Sequence, residues 1–376
     1  MRPRDYFPLG IATGPAFCNR TEDTRLLVEN IKNGKHTLLI ATRRYGKSSL
    51  ALQAIKITGL PYVEMDFYMA RSEKVIESYL LKGVIEAMGK ALGPVDQWIP
   101  SIKKYIKALK PKLDIGVPAT KLELTADIET DPAANVKEAL QLLERLLEEN
   151  KKYVVLLMDE FQNVGVIAKG AGIEAAIRNV AQKTKYLTII FSGSHRRLLT
   201  AMFEDDHRPL YKLCWKIALK RIELDHYKNH IQKVAKAVWK HELNNDIIKT
   251  ITSCTERHPY YVNKLCDRLL AYHEKKPPSI NEVNKAWNII LEEEKSDAIK
   301  EISLLSIGQK TVALQIARGI TSALSSKENM LELQMTPSSI FTALEGLEEK
   351  DMVEKEEGQY QIINPIIKYY ILKGGG

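Results

Sequence analysis

The sequence predicts an α/β fold in which a parallel sheet is flanked by helices. Three continuously apolar runs, which begin at Leu38, Tyr153 and Thr188, have the length of strands and are typical of strands buried on both faces of a sheet. The first run leads into a glycine-lysine-serine loop, and the second ends in two adjacent acids. Because parallel strands present their carboxyl ends at one edge of a sheet, we expect these polar groups to meet there.

The loop that follows the first run has the pattern of a phosphate-binding loop, or P-loop. Backbone N–H groups at a helix N-terminus meet the charge of a triphosphate, Lys47 adds a cation, and the Ser48 hydroxyl suits Mg²⁺. Ala41 replaces the first glycine of the pattern, which is acceptable if its φ stays negative. For the loop alone, a chance match is the alternative. The predicted nucleotide-binding residues of the loop are Thr42, Arg43, Arg44, Tyr45, Gly46, Lys47, Ser48 and Ser49.

The second apolar run supplies the other half of such a site. It ends in Asp159 and Glu160, which is the form of a Walker B strand. We expect Ser48 to contact Mg²⁺, Asp159 to hold it through water, and Glu160 to orient and deprotonate an attacking water. Two unrelated motifs in this order would be a coincidence, so the pair predicts a nucleotide site better than either half does.

A hydroxyl at the end of the third run is placed to sense the nucleotide. In a parallel sheet, the strand beside the Walker B strand presents its carboxyl end to the γ-phosphate. Ser192 is the first candidate for this sensor and Ser194 is the second. A serine-hydrolase elbow is the rival interpretation of this segment, but its G-x-S-x-G pattern is incomplete.

Two more segments resemble nucleotide-binding elements of the AAA+ and STAND ATPases. Phe17, Asn19 and Arg20 occupy the Phe-x-Gly-Arg-Glu box that lines the adenine pocket in those families, with Asn19 in the place of glycine. His258 and Pro259 resemble the end of the Gly-x-Pro element by which STAND lids contact nucleotide, with Arg257 in the place of glycine. An ordinary helix N-cap for the first segment, and an ordinary first helical turn for the second, are the alternatives.

The resemblance to AAA+ ATPases also implies an arginine finger for a neighbouring subunit. Arg208 lies at the expected corner, where we expect it to face outward. Arg178, Arg196 and Arg197 compete for this role, and simple surface arginines are the alternative. The predicted catalytic residues are Lys47, Glu160, Ser192 and Arg208.

Together the motifs resemble a family of prokaryotic ATPases, archaeal and bacterial, built from a P-loop domain, a helical lid and a winged helix. This resemblance implies an AAA+ or STAND-like regulatory ATPase that binds ATP and Mg²⁺, hydrolyses ATP and works as a nucleotide-driven switch. ATP is favoured over GTP because the base-reading N/T-K-x-D signature of GTPases is missing. The run from Asn263 to Cys266 comes close to it but lacks the aspartate.

The chain is predicted to contain three domains. They are an ATPase domain at 1–222, a helical lid at 223–296 and a winged helix at 297–373, with a disordered tail at 374–376. An insertion at about 95–126 is predicted to hold a basic amphipathic helix and a hairpin. The winged-helix prediction uses helices at 303–318, 321–333 and 337–350, a hairpin that turns at Gly358, and a closing helix at 365–372.

Composition indicates a soluble globular protein, with 45% hydrophobic and 27% charged residues among 376. The apolar runs fall far short of the roughly 18 residues that a spanning helix needs, and the N-terminus has no apolar leader, so we expect a cytoplasmic protein. Four scattered cysteines and eight histidines lack metal-ligand spacing, which leaves Mg²⁺ as the only predicted metal.

The distribution of charge separates two classes of function. Residues 101–121 hold six lysines against one acid, and residues 195–240 hold eleven basic against five acidic residues, within a formal net charge of +8. These stretches are candidates for nucleic acid, as in a DNA-binding ATPase similar to initiators or transposition ATPases. The other class is a switch that acts on an unknown protein client, with possible homo-oligomers.

The predicted winged helix favours protein over DNA. Acids on its third helix and its hairpin are expected to face, and repel, a phosphate backbone. We therefore expect the module to dock on protein, either its own ATPase domain or a partner. The acids are Glu345, Glu348, Glu349, Glu354, Glu356 and Glu357.

Overall fold

A computed structural model describes residues 5–18, 20–94, 98, 113–116, 123–126, 131–167 and 172–374. The chain divides into two compact units. One unit comprises Arg20–Ala41 and Lys47–Leu219, and the other comprises Met1–Asn19, Thr42–Gly46 and Lys220–Gly376. The segment that connects the first strand to the following helix therefore belongs, by its contacts, with the C-terminal part of the chain.

The first unit contains a parallel sheet, as predicted, and this sheet has five strands. In chain order the strands are β1 (Thr37–Ala41), β2 (Tyr62–Asp66), β3 (Leu113–Gly116), β4 (Glu123–Ala126), β5 (Val154–Asp159), β6 (Leu187–Gly193) and β7 (Trp215–Leu219). The sheet has the order β2-β5-β6-β1-β7, and every pair in it is parallel. Strands β3 and β4 form a separate antiparallel pair. The order places the end of β5, with its two acids, between β2 and β6.

Helices of the first unit pack on the sheet through apolar faces. They are α1 (Thr21–Lys32), α2 (Lys47–Thr58), α3 (Glu73–Leu92), α4 (Pro132–Asn150), α5 (Gln162–Ile167), α6 (Gly172–Ala181) and α7 (Arg196–Glu204). Asp131 caps the start of α4 by accepting from the Ala133 N–H at 3.0 Å. Val136, Leu140 and Leu143 form its buried stripe.

The second unit is mainly helical. Its helices are α8 (Leu224–Trp239), α9 (Asn245–Cys254), α10 (Pro259–Tyr272), α11 (Ile280–Ser303), α12 (Ile307–Ala317), α13 (Lys327–Leu333), α14 (Pro337–Glu349) and α15 (Pro365–Leu372). Helix α13 begins later than the predicted residue 321, because Ser326 caps it. Helix α11 runs without a break through residues 296 and 297, where the lid and the winged helix are predicted to divide, so that boundary stays a prediction.

A hairpin of β8 (Val353–Glu356) and β9 (Gln359–Ile362) lies between α14 and α15. Glu357 and Gly358 join the strands, and both have positive φ, +50° and +85°. Two such residues are typical of the tight turn that matches strand twist. The predicted turn at Gly358 is therefore confirmed. The β8–β9 hairpin and the helices from α8 to α15 share one apolar core.

Several predicted features lie outside the described residues. The basic helix of the predicted insertion is one, apart from Trp98, which is buried and donates its indole N–H to the Gly93 carbonyl at 2.9 Å. The last two tail residues are another. Across the described ranges, none of the helices combines the length and the apolar character needed to cross a membrane.

Candidate active site

The P-loop begins with a tight turn. The Tyr45 N–H donates to the Thr42 carbonyl at 3.2 Å, and Arg44, the third residue of the turn, has a φ of +65°. A turn with positive φ at this position normally has glycine there, so the backbone conformation of Arg44 is energetically unfavourable. Gly46 follows with a φ of +87°, and α2 begins at Lys47. Ala41 stays outside the positive-φ region, as the alanine requires.

Lys47 is the first residue of α2 and is only 8% exposed. A helix N-terminus directs backbone N–H groups and the positive end of the helix dipole at one point, which favours an anion. Ser48 and Ser49 follow in the first turn, half-buried and buried. The loop and helix therefore provide the local structure that a phosphate group needs.

Asp159 is the centre of the hydrogen bonds at the end of β5. Its carboxylate accepts from the Ser48 hydroxyl at 3.2 Å and from the Ser192 hydroxyl at 2.5 Å. These contacts join the end of β5 to α2 and to β6. Ser48 and Asp159 thus form a pair of oxygen ligands that fits Mg²⁺, a hard cation that usually takes one or two protein oxygens and keeps several waters.

Glu160 is held by different partners. Its Oε2 accepts from Gln162 Nε2 at 2.6 Å and from the Ser194 hydroxyl at 2.7 Å. Its own φ is +50°, which turns the chain sharply after β5. Consequently Ser192, the first candidate sensor, lies buried against Asp159, whereas Ser194 contacts the predicted catalytic base.

Gly193 makes the contact between Gln162 and Glu160 possible. A Cβ atom at position 193 would lie 1.9 Å from Gln162 Oε1, which is a severe overlap. Gln162 is itself buried, with 5% exposure. Neither Gln162 nor Gly193 was predicted as a site residue from the sequence. A glycine between two serines at a strand end was the available signal.

Phe17 and Arg20, two of the three predicted adenine-box residues, differ in burial and in their contacts. Phe17 is half-buried and follows a short 3₁₀ turn at Gly14–Ala16. Arg20 is buried and its guanidinium donates to Asp23 at 3.3 Å. Asn19 lies outside the described residues, and the role of this box stays a prediction.

His258 and Pro259 start α10, with His258 at the N-cap position. The His258 ring meets the Tyr45 ring edge to face at 5.1 Å between centroids. Burial, together with the positive charges of Arg221 and Arg44, lowers the pKa of His258 to about 3, so its ring is neutral at pH 7. The predicted lid element therefore contacts a side chain of the P-loop.

The two arginines of the P-loop are exposed and face the second unit of the chain, to which they belong. Arg44 stacks over the Tyr260 ring at 4.3 Å. Arg43 and Arg44 also line a cavity of about 440 Å³ with His258 and Glu301. Burial raises the pKa of Glu301, and the charges of Arg43 and Arg44 oppose that rise.

Two further loop side chains converge on one acid of the β8–β9 hairpin. The Thr42 hydroxyl donates to Glu354 Oε2 at 2.6 Å, and the Tyr45 hydroxyl donates to Glu354 Oε1 at 2.7 Å. Glu354 is only 6% exposed. The expectation that this acid faces outward and repels phosphate is therefore wrong, because its charge is directed at hydroxyl groups of its own chain.

Arg208 does not face outward as predicted. Its guanidinium pairs with Glu174 at 2.5 Å, and the side chains are 27% and 0% exposed. A competitor, Arg178, donates to the backbone carbonyls of Pro209 and Tyr211. Arg196 is half-buried and Arg197 is exposed at the start of α7. Arg208 and Arg178 thus have structural partners, which explains their positions without a finger.

The strand order, the P-loop after β1 and the acids after β5 define the class of P-loop nucleoside triphosphatases.

No protein-family model matches the chain, and no curated protein matches its sequence. Solved structures do match. A Walker-type ATPase of Pyrococcus abyssi matches with a TM-score of 0.66 and 19% identity, over 97% of this chain and 99% of that one. The ORC2 protein of Aeropyrum pernix matches with a TM-score of 0.58 and 14% identity, over 100% of this chain and 96% of that one. The chain therefore has the fold of these two proteins, and the predicted parallel sheet flanked by helices is confirmed.

We expect Gly193→Ala to destabilise the fold by roughly 1–3 kcal/mol, because the added Cβ overlaps Gln162 in a packed site. Thermal unfolding measures this cost. The matched control is Gln162→Ala, which removes the overlapping atom. The double variant should lose less stability than the sum of the losses in the two single variants. Additive costs would show that the overlap is relieved in another way.

Arg208→Ala should lower stability by roughly 2–4 kcal/mol at pH 8, because it leaves Glu174 buried without its charge partner. Burial already raises the pKa of Glu174 to about 7, and Arg208 opposes that rise. Without Arg208 the folded-state pKa rises further, so the unfolded chain loses its proton first and stability falls as pH increases. The loss should be smaller at pH 6, and smaller again in a Glu174→Gln background. A pH-independent loss would contradict this.

Proposed function

We propose that the protein binds ATP with Mg²⁺ and hydrolyses it. The observation that carries this proposal is the assembly of Ser48, Asp159 and Ser192 through hydrogen bonds at the carboxyl edge of the sheet. Lys47 begins the helix beside Ser48, and Glu160 follows Asp159. A phosphate cradle, an oxygen pair for Mg²⁺ and a carboxylate base are the parts that phosphoryl transfer to water needs.

Each residue of this set has a distinct role. Lys47 and the N–H groups at the start of α2 bind and orient the phosphates. Ser48 and Asp159 would hold Mg²⁺, which would supply positive charge to offset that of the phosphates. Glu160 accepts the proton of the attacking water, and Gln162 and Ser194 fix its carboxylate. Ser192 holds Asp159 in place and thereby links β6 to the nucleotide.

Adenine is the base that we propose. The GTPase base-reading signature is missing from the sequence. The matching Aeropyrum pernix ORC2 protein was solved as ADPNP and ADP complexes, which are adenine nucleotides. Phe17, Asn19 and Arg20 remain our candidates for the adenine pocket.

We further propose that hydrolysis drives a conformational switch, as in STAND-like ATPases. The support comes from within the second unit, where the P-loop turn touches both a predicted lid residue and the β8–β9 hairpin. A change in the loop would be felt directly by these two elements. The client that such a switch would act on is a protein of unknown identity, and we assign no arginine finger.

A DNA-acting ATPase has less support. The basic stretch 101–121 lies outside the described residues, except for the backbone of β3. In the stretch 195–240, Lys216 and Lys220 pair with Glu204 and Glu356. Positive charge that is already paired within the chain contributes less to binding of a phosphate backbone.

Lys47→Ala should abolish ATP binding, because Lys47 supplies the cation for the β- and γ-phosphates. Calorimetry of ATP binding with Mg²⁺ measures this. Thermal unfolding of the free protein serves as the control for the fold. Affinity equal to that of the wild type would contradict the proposed phosphate site.

Glu160→Gln should keep ATP bound but slow hydrolysis by about 10² to 10⁴, since the amide cannot accept the proton of water. Asp159→Asn should instead weaken the Mg²⁺-dependent part of binding. Single-turnover hydrolysis and nucleotide titrations with and without Mg²⁺ separate the two effects. Near-normal hydrolysis by Glu160→Gln would move the base to another residue.

A further inference from the structure

Glu354 forms a brace across the P-loop turn. Thr42 and Tyr45 are the first and fourth residues of that turn, and both donate side-chain hydrogen bonds to the one carboxylate, at 2.6 and 2.7 Å. We propose that Glu354 is a positioning residue for the P-loop and that docking of the β8–β9 hairpin thereby strengthens nucleotide binding. This inference rests on the proposed function, because it assumes that the loop binds ATP.

The brace is buried and its charge is compensated. Arg221 is 8% exposed, and its Nε lies 3.7 Å from Glu354 Oε1 and donates to the Tyr45 hydroxyl at 3.0 Å. The same guanidinium donates to the carbonyls of Ile362 and Ile363 at 2.9 and 3.0 Å. Arg221 therefore fixes the end of β9 to the turn that Glu354 grips from β8. Breaking a buried ion pair with this many hydrogen bonds is costly in free energy, because the remaining charge stays buried without its partner.

The turn needs an external brace because of its sequence. Arg44 takes a left-handed backbone that disfavours every residue with a side chain except Asn and Asp. Such a conformation persists only where the surroundings hold it in place. In glycine-rich P-loops the glycines adopt these angles freely, whereas here the Glu354 bonds on both sides of Arg44 supply the constraint.

The direction of the effect follows from preorganisation. A loop that is held before the ligand arrives pays less ordering entropy when the ligand binds. The turn continues through Gly46 into Lys47, so order in the turn reaches the phosphate-binding residue along the chain itself. By linkage, ATP must in return favour the docked hairpin to the same extent.

The test compares ATP affinity, KM and kcat in the full chain. Glu354→Ala should weaken ATP binding about 5- to 50-fold and raise KM, while kcat at saturation changes little because Glu160 and its partners are untouched. Glu356→Ala is the matched control, since Glu356 lies on the same strand and pairs with Lys220 at 3.0 Å. It should leave the affinity unchanged. A loss of folded protein would instead lower kcat in proportion.

A double-mutant cycle identifies the bond responsible. Tyr45→Phe removes the hydroxyl but keeps the ring against His258, and Glu354→Gln keeps the shape of the acid if the alanine variant does not fold. If both act through one brace, the loss in the double variant should be smaller than the sum of the two single losses.

Four outcomes are decisive. Wild-type affinity in folded Glu354→Ala or Glu354→Gln, or fully additive losses in the cycle, would overturn the inference while the proposed function stands. Tighter ATP binding by these variants would also overturn it, because the brace would then be inhibitory. Failure of the wild-type chain to bind ATP would refute the proposed function instead.

Discussion

The carboxylate of Asp159 is the group on which the candidate site depends. It accepts from Ser48 at the start of α2, from Ser192 at the end of β6 and from the backbone N–H of Glu160. A partly buried carboxylate requires such donors, because leaving its lone pairs unsatisfied is costly. The Ser192 donor reaches Asp159 because β5 lies beside β6 in a parallel sheet, so the strand order is one condition for the proposed chemistry.

Two adjacent acids can do different work because the backbone changes direction between them. The positive φ of Glu160 ends β5 and sends the second side chain to Gln162 and Ser194 rather than to the donors of Asp159. Gly193 supplies the space for Gln162. A left-handed glutamate costs free energy, and such strain persists where neighbouring bonds hold it. The separation of the proposed metal ligand, Asp159, from the proposed base, Glu160, thus depends on the backbone turn between them and on the absence of a side chain at Gly193.

The strands of the sheet and the two nucleotide motifs were predictable because each of them is a short, continuous run of residues. Asp159 and Ser48 follow directly from such runs. Contacts that join distant positions were not predictable: Glu354 lies 312 positions after Thr42, and Arg208 lies 34 after Glu174. An alternating hairpin pattern does not tell a buried acid from an exposed one when the counter-charge is elsewhere in the chain. For the same reason, the expected exposure of Arg208 was wrong.

Charge counted along a segment therefore overstates what that segment offers to a partner. In the β8–β9 hairpin, Glu356 and Glu357 pair with Lys220 at 3.0 and 2.9 Å, while the adjacent Arg221 compensates Glu354. Lys220 and Arg221, which directly follow β7, thus compensate the charges of three acids of the hairpin. The hairpin acids serve contacts within the chain, so they argue neither for nor against DNA as a partner. Any inference about an external partner has to start from the charges of α14 instead.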